Sequence, residues 1–411
     1  MSIKKLSMIG AAAMFMGTTA YAGCGISAGN VNIIGNEFEA IQVVVDGAKA
    51  CAGEGVTVES NLNKDYRDLQ VAALTPNPAQ YTSVITNNGA IVPLLGDNLI
   101  RPLDDLIAKH GQSLSKNQFI TIDGKVMAVA FMANAQHLFV RKDILEQAGL
   151  EVPTTYEEVV AASQAIKDAG IMEYPFATTS KTGWNLGEEF VNMFLGHGGE
   201  FFKPGSAEPN INNETGVAAL NSLKALTELS NPDFLTFDSN AVQANWESGD
   251  VAIAHLWGSR GTGILDDEGS TADIVNNTVL VGSPTVGGGS TPASTLWWDG
   301  FAISNNISDE DAEATFIALV NGISSKNIMA NNDAAVWLVE GYQPTSSSAG
   351  VAGTAQGGAK PYPMIPFMGL MHNAAGAELT EFLQGRESAE QALADVEAAY
   401  VAAAKEKGFL N

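Results

Sequence analysis

The strongest constraint on this chain is a switch of hydrophobic period near its beginning. Val31-Asn32-Ile33-Ile34 is a short apolar run of strand type. Ile41, Val44, Val45 and Ala48 then recur at helical spacing, and Val56-Thr57-Val58-Glu59 returns to a strand. Strand, helix and strand in that order predict a βαβ unit, in which a crossover helix covers two parallel strands. Helix signals recur further along. Thr155 with Glu158 predicts a capping box, Val159, Val160, Ser163 and Ile166 continue the helix, and Gly170 ends it. Ser308 and Ser388 open two more helices, the second with Gln391 placed for another capping box. Apolar stripes follow both: Ala312, Phe316, Leu319 and Val320 in one, Leu393, Val396 and Tyr400 in the other. Repeated units of this kind predict an α/β protein whose parallel sheets carry helices on both faces.

With 411 residues, 45% of them hydrophobic and 16% charged, the chain can bury large cores in two or three domains. Its first 22 residues read as a secretory signal peptide. Lys4 and Lys5 precede an apolar run from Met8 to Gly17, and Ala20-Tyr21-Ala22 places cleavage after Ala22. That run is about half the ~20 residues a membrane-crossing helix needs. Export makes the two cysteines, Cys24 and Cys51, a predicted disulfide, and the chain-entropy model gives its loop closure about 3.5 kcal/mol. The alternative fate of Cys24, a lipid anchor after Ala22-Gly23, has Tyr21 where a branched aliphatic residue is usual. The formal charge of −25 argues against nucleic acid and anionic membrane as partners and suits a solvated acidic surface.

The five histidines, at 110, 137, 197, 255 and 372, show no ligand spacing, so neither a metal nor another cofactor is expected. Gly287-Gly288-Gly289-Ser290 and Ser346-Ser347-Ser348-Ala349-Gly350 read as loops, either on the surface of one domain or where the chain passes between two.

Four blocks carry a family resemblance. Residues 122–170, beginning IDGKVMAVAFMANAQHLFV, resemble the signature of carbohydrate-type extracellular solute-binding proteins of ATP-binding-cassette importers, the family of maltose-binding protein. ANWESGDVAIAHLWGSRG (244–261), WWDGFAISNN and its continuation (297–326), and the segment from FLQGRESAEQ to the C-terminus resemble three further blocks in the same order. Ala130-Phe131 replaces the family's proline-containing turn, and Val140-Arg141 stands where Tyr-Asn is common. The resemblance implies a two-lobed periplasmic-binding-protein fold joined by three crossovers. One lobe would comprise 23–131 plus 286–344, the other 132–285 plus 345–411. It further implies a monomeric, non-enzymatic periplasmic protein that captures a mono- or short oligosaccharide, a glucoside among them, and delivers it to a permease in the inner membrane.

Ligands of open α/β sheets sit beyond the carboxyl ends of strands. A pyranose has an apolar C–H face and a rim of hydroxyls, so it suits indole platforms edged by carboxylates, amides and guanidinium groups. Trp184, Trp257, Trp297 and Trp298 are the candidate platforms, Glu37 and Asp299 the acceptors, and Asn36, Asn87 and Arg260 the donors. Trp246 and Trp337, in helical stretches, are assigned to the core. Neighbouring strand residues face opposite ways, so one of Trp297 and Trp298 faces the cleft and the other packs below. Two rival readings use the same residues. An exported glycoside hydrolase would cast Glu37 and Asp299 as its carboxylate pair, and a binder of polyols or quaternary ammonium solutes would use the aromatics as a cage.

Overall fold

The computed structural model describes residues 24–266 and 268–411; the signal-peptide segment lies outside them. Strand β1 (Gly29–Gly35), the helix Glu39–Lys49 and β2 (Val56–Leu62) realise the predicted unit, with β1 parallel to β2 and to β3 (Ser83–Asn87). The helix buries Ile41, Val44, Val45 and Ala48, the face its spacing marks. Next come β4 (Phe119–Ile122), β5 (Lys125–Asn134), β6 (Gln136–Arg141), β7 (Phe176–Thr178), β8 (Ile253–Trp257), β9 (Thr278–Val281), β10 (Thr295–Ile303), β11 (Val336–Trp337) and β12 (Lys360–Pro361).

These strands make two sheets. One has the order β11-β5-β10-β3-β1-β2, with β4 on β5 and β12 on β10; the other has the order β7-β8-β6-β9. The molecule is therefore an α/β protein of two lobes, and its sheets are mixed rather than purely parallel, since β10 runs antiparallel to both β3 and β5. The chain passes between sheets twice, at Ala135 between β5 and β6 and between β9 and β10, and after β11 it makes a third passage as the helix Ala349–Gln356, which packs on β6 and β9 of the other sheet. The first passage falls later than the 131/132 break read from the sequence, because β5 keeps pairing with β10 as far as Asn134. Both glycine- and serine-rich segments lie at passages, and Ser346–Ser348 forms a 3₁₀ turn leading into the helix Ala349–Gln356.

Local signals hold in most places. Thr155 and Glu158 exchange both capping-box bonds, and Gly170 takes a left-handed φ of 66° at the helix end. Ser308 and Ser388 cap their helices, but the Gln391 side chain turns to Asp395 and leaves the second box half made. Trp337 is buried as expected, on the short strand β11 and not in a helix. Cys24 and Cys51 are joined, which ties the first described residue to the end of the first helix.

One irregularity positions the site. Across β10 and β5, Asp299 lies opposite Met132 while Gly300 lies opposite Ala130, so Phe131 is an extra residue in β5. A Cβ on Gly300 would lie 2.5 Å from the Val129 carbonyl oxygen and 2.8 Å from Ala130 Cα. Only glycine allows that approach. Gly300→Ala is therefore expected to lower stability by about 1–3 kcal/mol, read from denaturant unfolding, because backbone and not a side-chain tip must yield. Reduction of the disulfide is expected to expose two thiols and remove about 3.5 kcal/mol; an unchanged unfolding midpoint would contradict that role.

Candidate functional site

Eight of the nine candidate ligand residues line one cavity of about 910 Å³: Asn36, Glu37, Asn87, Trp184, Trp257, Arg260, Trp297 and Asp299. Trp298 does not join them. It points to the opposite face of β10 and packs against the core around Ala90 and Leu94, while its backbone N–H donates to Asn88 Oδ1 at 2.9 Å. Alternation along β10 thus puts Trp297 and Asp299 on the cavity side.

Three indoles meet there although they come from distant parts of the chain. Trp184 begins the helix Trp184–Gly196, Trp257 ends β8 and Trp297 lies near the start of β10. Trp184 and Trp257 stack with centroids 6.3 Å apart, and Trp297 stands edge-on to them at 5.7 and 6.0 Å. Tyr362 adds a fourth ring 4.3 Å from Trp297. The guanidinium of Arg67 lies 4.5 Å over Trp184 and 5.9 Å from Trp297, a cation–π contact made from the other lobe by the helix Tyr66–Leu74.

The polar groups sit at the edges of these rings. Asp299 pairs in register with Asn87 on β3, whose Nδ2 donates to Tyr66 Oη at 3.0 Å. Burial pushes the Asp299 carboxyl up to about 6, against the opposing pull of Arg67 and Asn87. Arg67 Nε donates to Tyr66 Oη at 3.3 Å. Arg260, its ordinary value lowered by burial, reaches Gln243 Oε1 at 3.5 Å. Glu37 is exposed at the rim, and Asn36 accepts from the Glu37 N–H without capping the first helix. At the first passage, Asn134 binds Ser259 from both ends of its amide, at 3.2 Å each, so β5 and the turn after β8 are fastened where the chain changes sheets.

The sequence reading missed Tyr66, Arg67, Tyr362 and His372. Lys64-Asp65-Tyr66-Arg67-Asp68 follows the carboxyl end of β2, so the strand-end rule that singled out the loops after β1, β3 and β8 also covers Arg67. Tyr362 and His372 arrive after the third passage, in a stretch without hydrophobic period. His372 Nε2–H donates to the Trp184 carbonyl at 2.7 Å, which leaves Nδ1 to accept from the Tyr362 hydroxyl at 3.0 Å. Burial pushes this imidazole down to about 3, so it stays neutral and keeps that tautomer. Among the described residues, no cluster of three or more His, Cys, Asp or Glu is placed to hold a metal, and no helix is long and apolar enough to cross a membrane.

Comparison with known proteins places this geometry in context. Residues 34–323 match the family model described as bacterial extracellular solute-binding protein. Among solved structures, maltose-bound MalE3 of T. maritima superposes with a TM-score of 0.78 at 18% identity, over 91% of this chain and 99% of that one. A ribitol-bound ABC transporter solute-binding protein from Agrobacterium radiobacter gives 0.77 at 20% identity, over 90% and 97%. One from Agrobacterium vitis with bound D-mannitol gives 0.76 at 18%, over 93% and 99%. These likenesses establish the fold. The periplasmic sn-glycerol-3-phosphate-binding protein UgpB of Agrobacterium fabrum is 27% identical over 103 residues, which span 22% of this chain and 23% of that relative. The family model covers well over half of the sequence and its members bind solutes without transforming them: the chain belongs to the bacterial extracellular solute-binding proteins.

Proposed function

We propose that this protein is the solute-binding component of an ABC importer, exported to the periplasm by its first 22 residues. It captures a sugar, a mono- or short oligosaccharide, or a related polyol between its lobes and presents it to a membrane permease. The lobes in this reading are 24–134 with 286–344, and 136–285 with 345–411. One observation carries the proposal: four aromatic rings and the Asp299 carboxylate converge on one cavity walled by both lobes. Trp257, Trp297 and Tyr362 offer faces and edges to the C–H surface of a polyhydroxyl solute. Asp299 accepts from its hydroxyls, and Arg67, Arg260 and the amides of Asn36 and Asn87 donate to them. Solutes bound to structural neighbours, maltose, ribitol and D-mannitol, are of this chemical class.

The quaternary-ammonium reading is disfavoured by Arg67. A cationic solute among these rings would meet a guanidinium about 5 Å away, a repulsion of about 3 kcal/mol at an effective dielectric of 20. The hydrolase reading is set aside with the family assignment.

A thermal-shift screen of sugars, polyols and betaines tests the proposal, since a solute at 100 times its Kd adds about 2.7 kcal/mol of stability. Sugars or polyols should raise the midpoint and quench tryptophan emission, and betaines should do neither; the reverse pattern would sink the reading. Asp299→Ala should weaken binding by about 1.5–3 kcal/mol. Because the charged carboxylate is the better acceptor, wild-type affinity should fall as pH drops through about 6, a step that Asp299→Asn should remove. On solute addition, small-angle scattering should report a smaller radius of gyration, as expected when contacts from both lobes favour a closed form.

A further inference from the structure

Behind the aromatic walls, two consecutive glutamates of the helix Trp184–Gly196 are buried, Glu188 at 0% exposure and Glu189 at 4%. Their basic neighbours within 4 Å are histidines: His255 Nδ1 lies 3.5 Å from Glu189, and His372 Nδ1 lies 3.8 Å from Glu188. A chain of hydrogen bonds links the two carboxyls. Glu189 Oε1 accepts from Thr179 Oγ1 and from Gln136 Nε2, each at 2.7 Å. That orientation turns Gln136 Oε1 toward Asn192, whose Nδ2 donates to it at 2.5 Å. Asn192 Oδ1 is thereby turned toward Thr295 Oγ1 at 2.8 Å and needs its proton.

Thr295 has one proton, yet Glu188 Oε1 also lies 2.5 Å from its oxygen. The Trp297 indole N–H points at the same pair of atoms, 2.8 Å from Thr295 Oγ1 and 3.0 Å from Glu188 Oε1. With the hydroxyl proton given to Asn192, the short contact between Glu188 and Thr295 lacks a hydrogen unless the carboxyl supplies it. We propose that Glu188 is a positioning residue held in its protonated form, which donates to Thr295 Oγ1 and so fixes the Trp297 indole that walls the ligand cavity.

The surroundings agree. Burial pushes the Glu188 carboxyl up to about 8, with the neighbouring Glu189 charge adding to the rise and the Thr295 and Trp297 bonds and Arg67 opposing it. The charged and titratable groups facing it are Glu189 on its own helix, Arg67 on the helix Tyr66–Leu74, Tyr362 after β12, and His372 on the helix Met368–Glu378. His372 is committed to Trp184 and Tyr362 and offers Glu188 no proton. Above pH 8 the carboxyl ionises, and the single Thr295 proton can then fill only one of the two contacts of Thr295 Oγ1, with Glu188 Oε1 or with Asn192 Oδ1, leaving the other without a hydrogen. The Trp297 wall shifts as a result.

The test is a pair of pH titrations from 6 to 9.5, on wild type and on Glu188→Gln, whose amide supplies the missing donor at every pH. Wild-type tryptophan emission should change with a midpoint near 8, and Glu188→Gln should lack that step. Infrared spectra of protein labelled with ¹³C-glutamate should show a protonated carboxyl band at pH 7 that fades through the same midpoint. This second readout decides the matter alone if the variant does not fold. An identical emission step in Glu188→Gln, or no protonated carboxyl at pH 7 in wild type, would overturn the proposal. A consequence for affinity rests on the binding function proposed above: D-mannitol binding should weaken at least tenfold from pH 7 to 9 in wild type and stay flat in Glu188→Gln. Failure to bind D-mannitol at any pH would count against that function and leave the proton assignment to the other two readouts.

Discussion

Strand β10 is the element on which the site depends. Side chains alternate along a strand, so Trp297 and Asp299 must share a face and Trp298 must take the other. The register against β3 and β5 decides which face that is, and the extra residue Phe131 with the side-chain-free Gly300 lets β5 close in immediately after Asp299. The start of β10 also belongs to two environments at once. It pairs with the first sheet, yet Trp297 packs with Trp257 and Tyr362 in the core of the other lobe. A ligand held against Trp297 is therefore in contact with the junction of the lobes and not with one lobe alone.

Rigid walls need a satisfied interior behind them. The indole N–H of Trp297, the hydroxyl of Tyr362 and the backbone carbonyl of Trp184 each find a buried partner, in Glu188 with Thr295 and in His372. A buried polar group left without a partner costs about 1–3 kcal/mol, which is large against the stability of a folded domain. The network thus ties the orientation of three rings to a few protons. Arg67 adds a cation–π contact from the opposite lobe.

Local features were legible in the sequence because their causes are local. The first βαβ unit, the Thr155 capping box and the Ser308 cap depend on residues within one or two turns of each other. Trp257, Trp297 and Asp299 were legible as residue types suited to a sugar that stand in blocks of the family resemblance, and Trp184 by residue type alone. The choice between Trp297 and Trp298 was not, since it rests on pairing with strands more than 150 residues away. Nothing local marks Glu188 and Glu189 for burial; Gln136, Thr179 and Thr295 reach them from other elements. Trp337 sits in a strand because β5 recruits it, which no local propensity announces.

The central claim is that one polyhydroxyl solute is held between the lobes against Trp297 and Asp299. A crystal structure grown with a solute that stabilises the protein tests it most directly. The account predicts a solute whose C–H surface lies on the indole of Trp257 or Trp297 and whose hydroxyl donates to the Asp299 carboxylate. A solute seated elsewhere, or one that leaves Trp297 and Asp299 untouched, would contradict it.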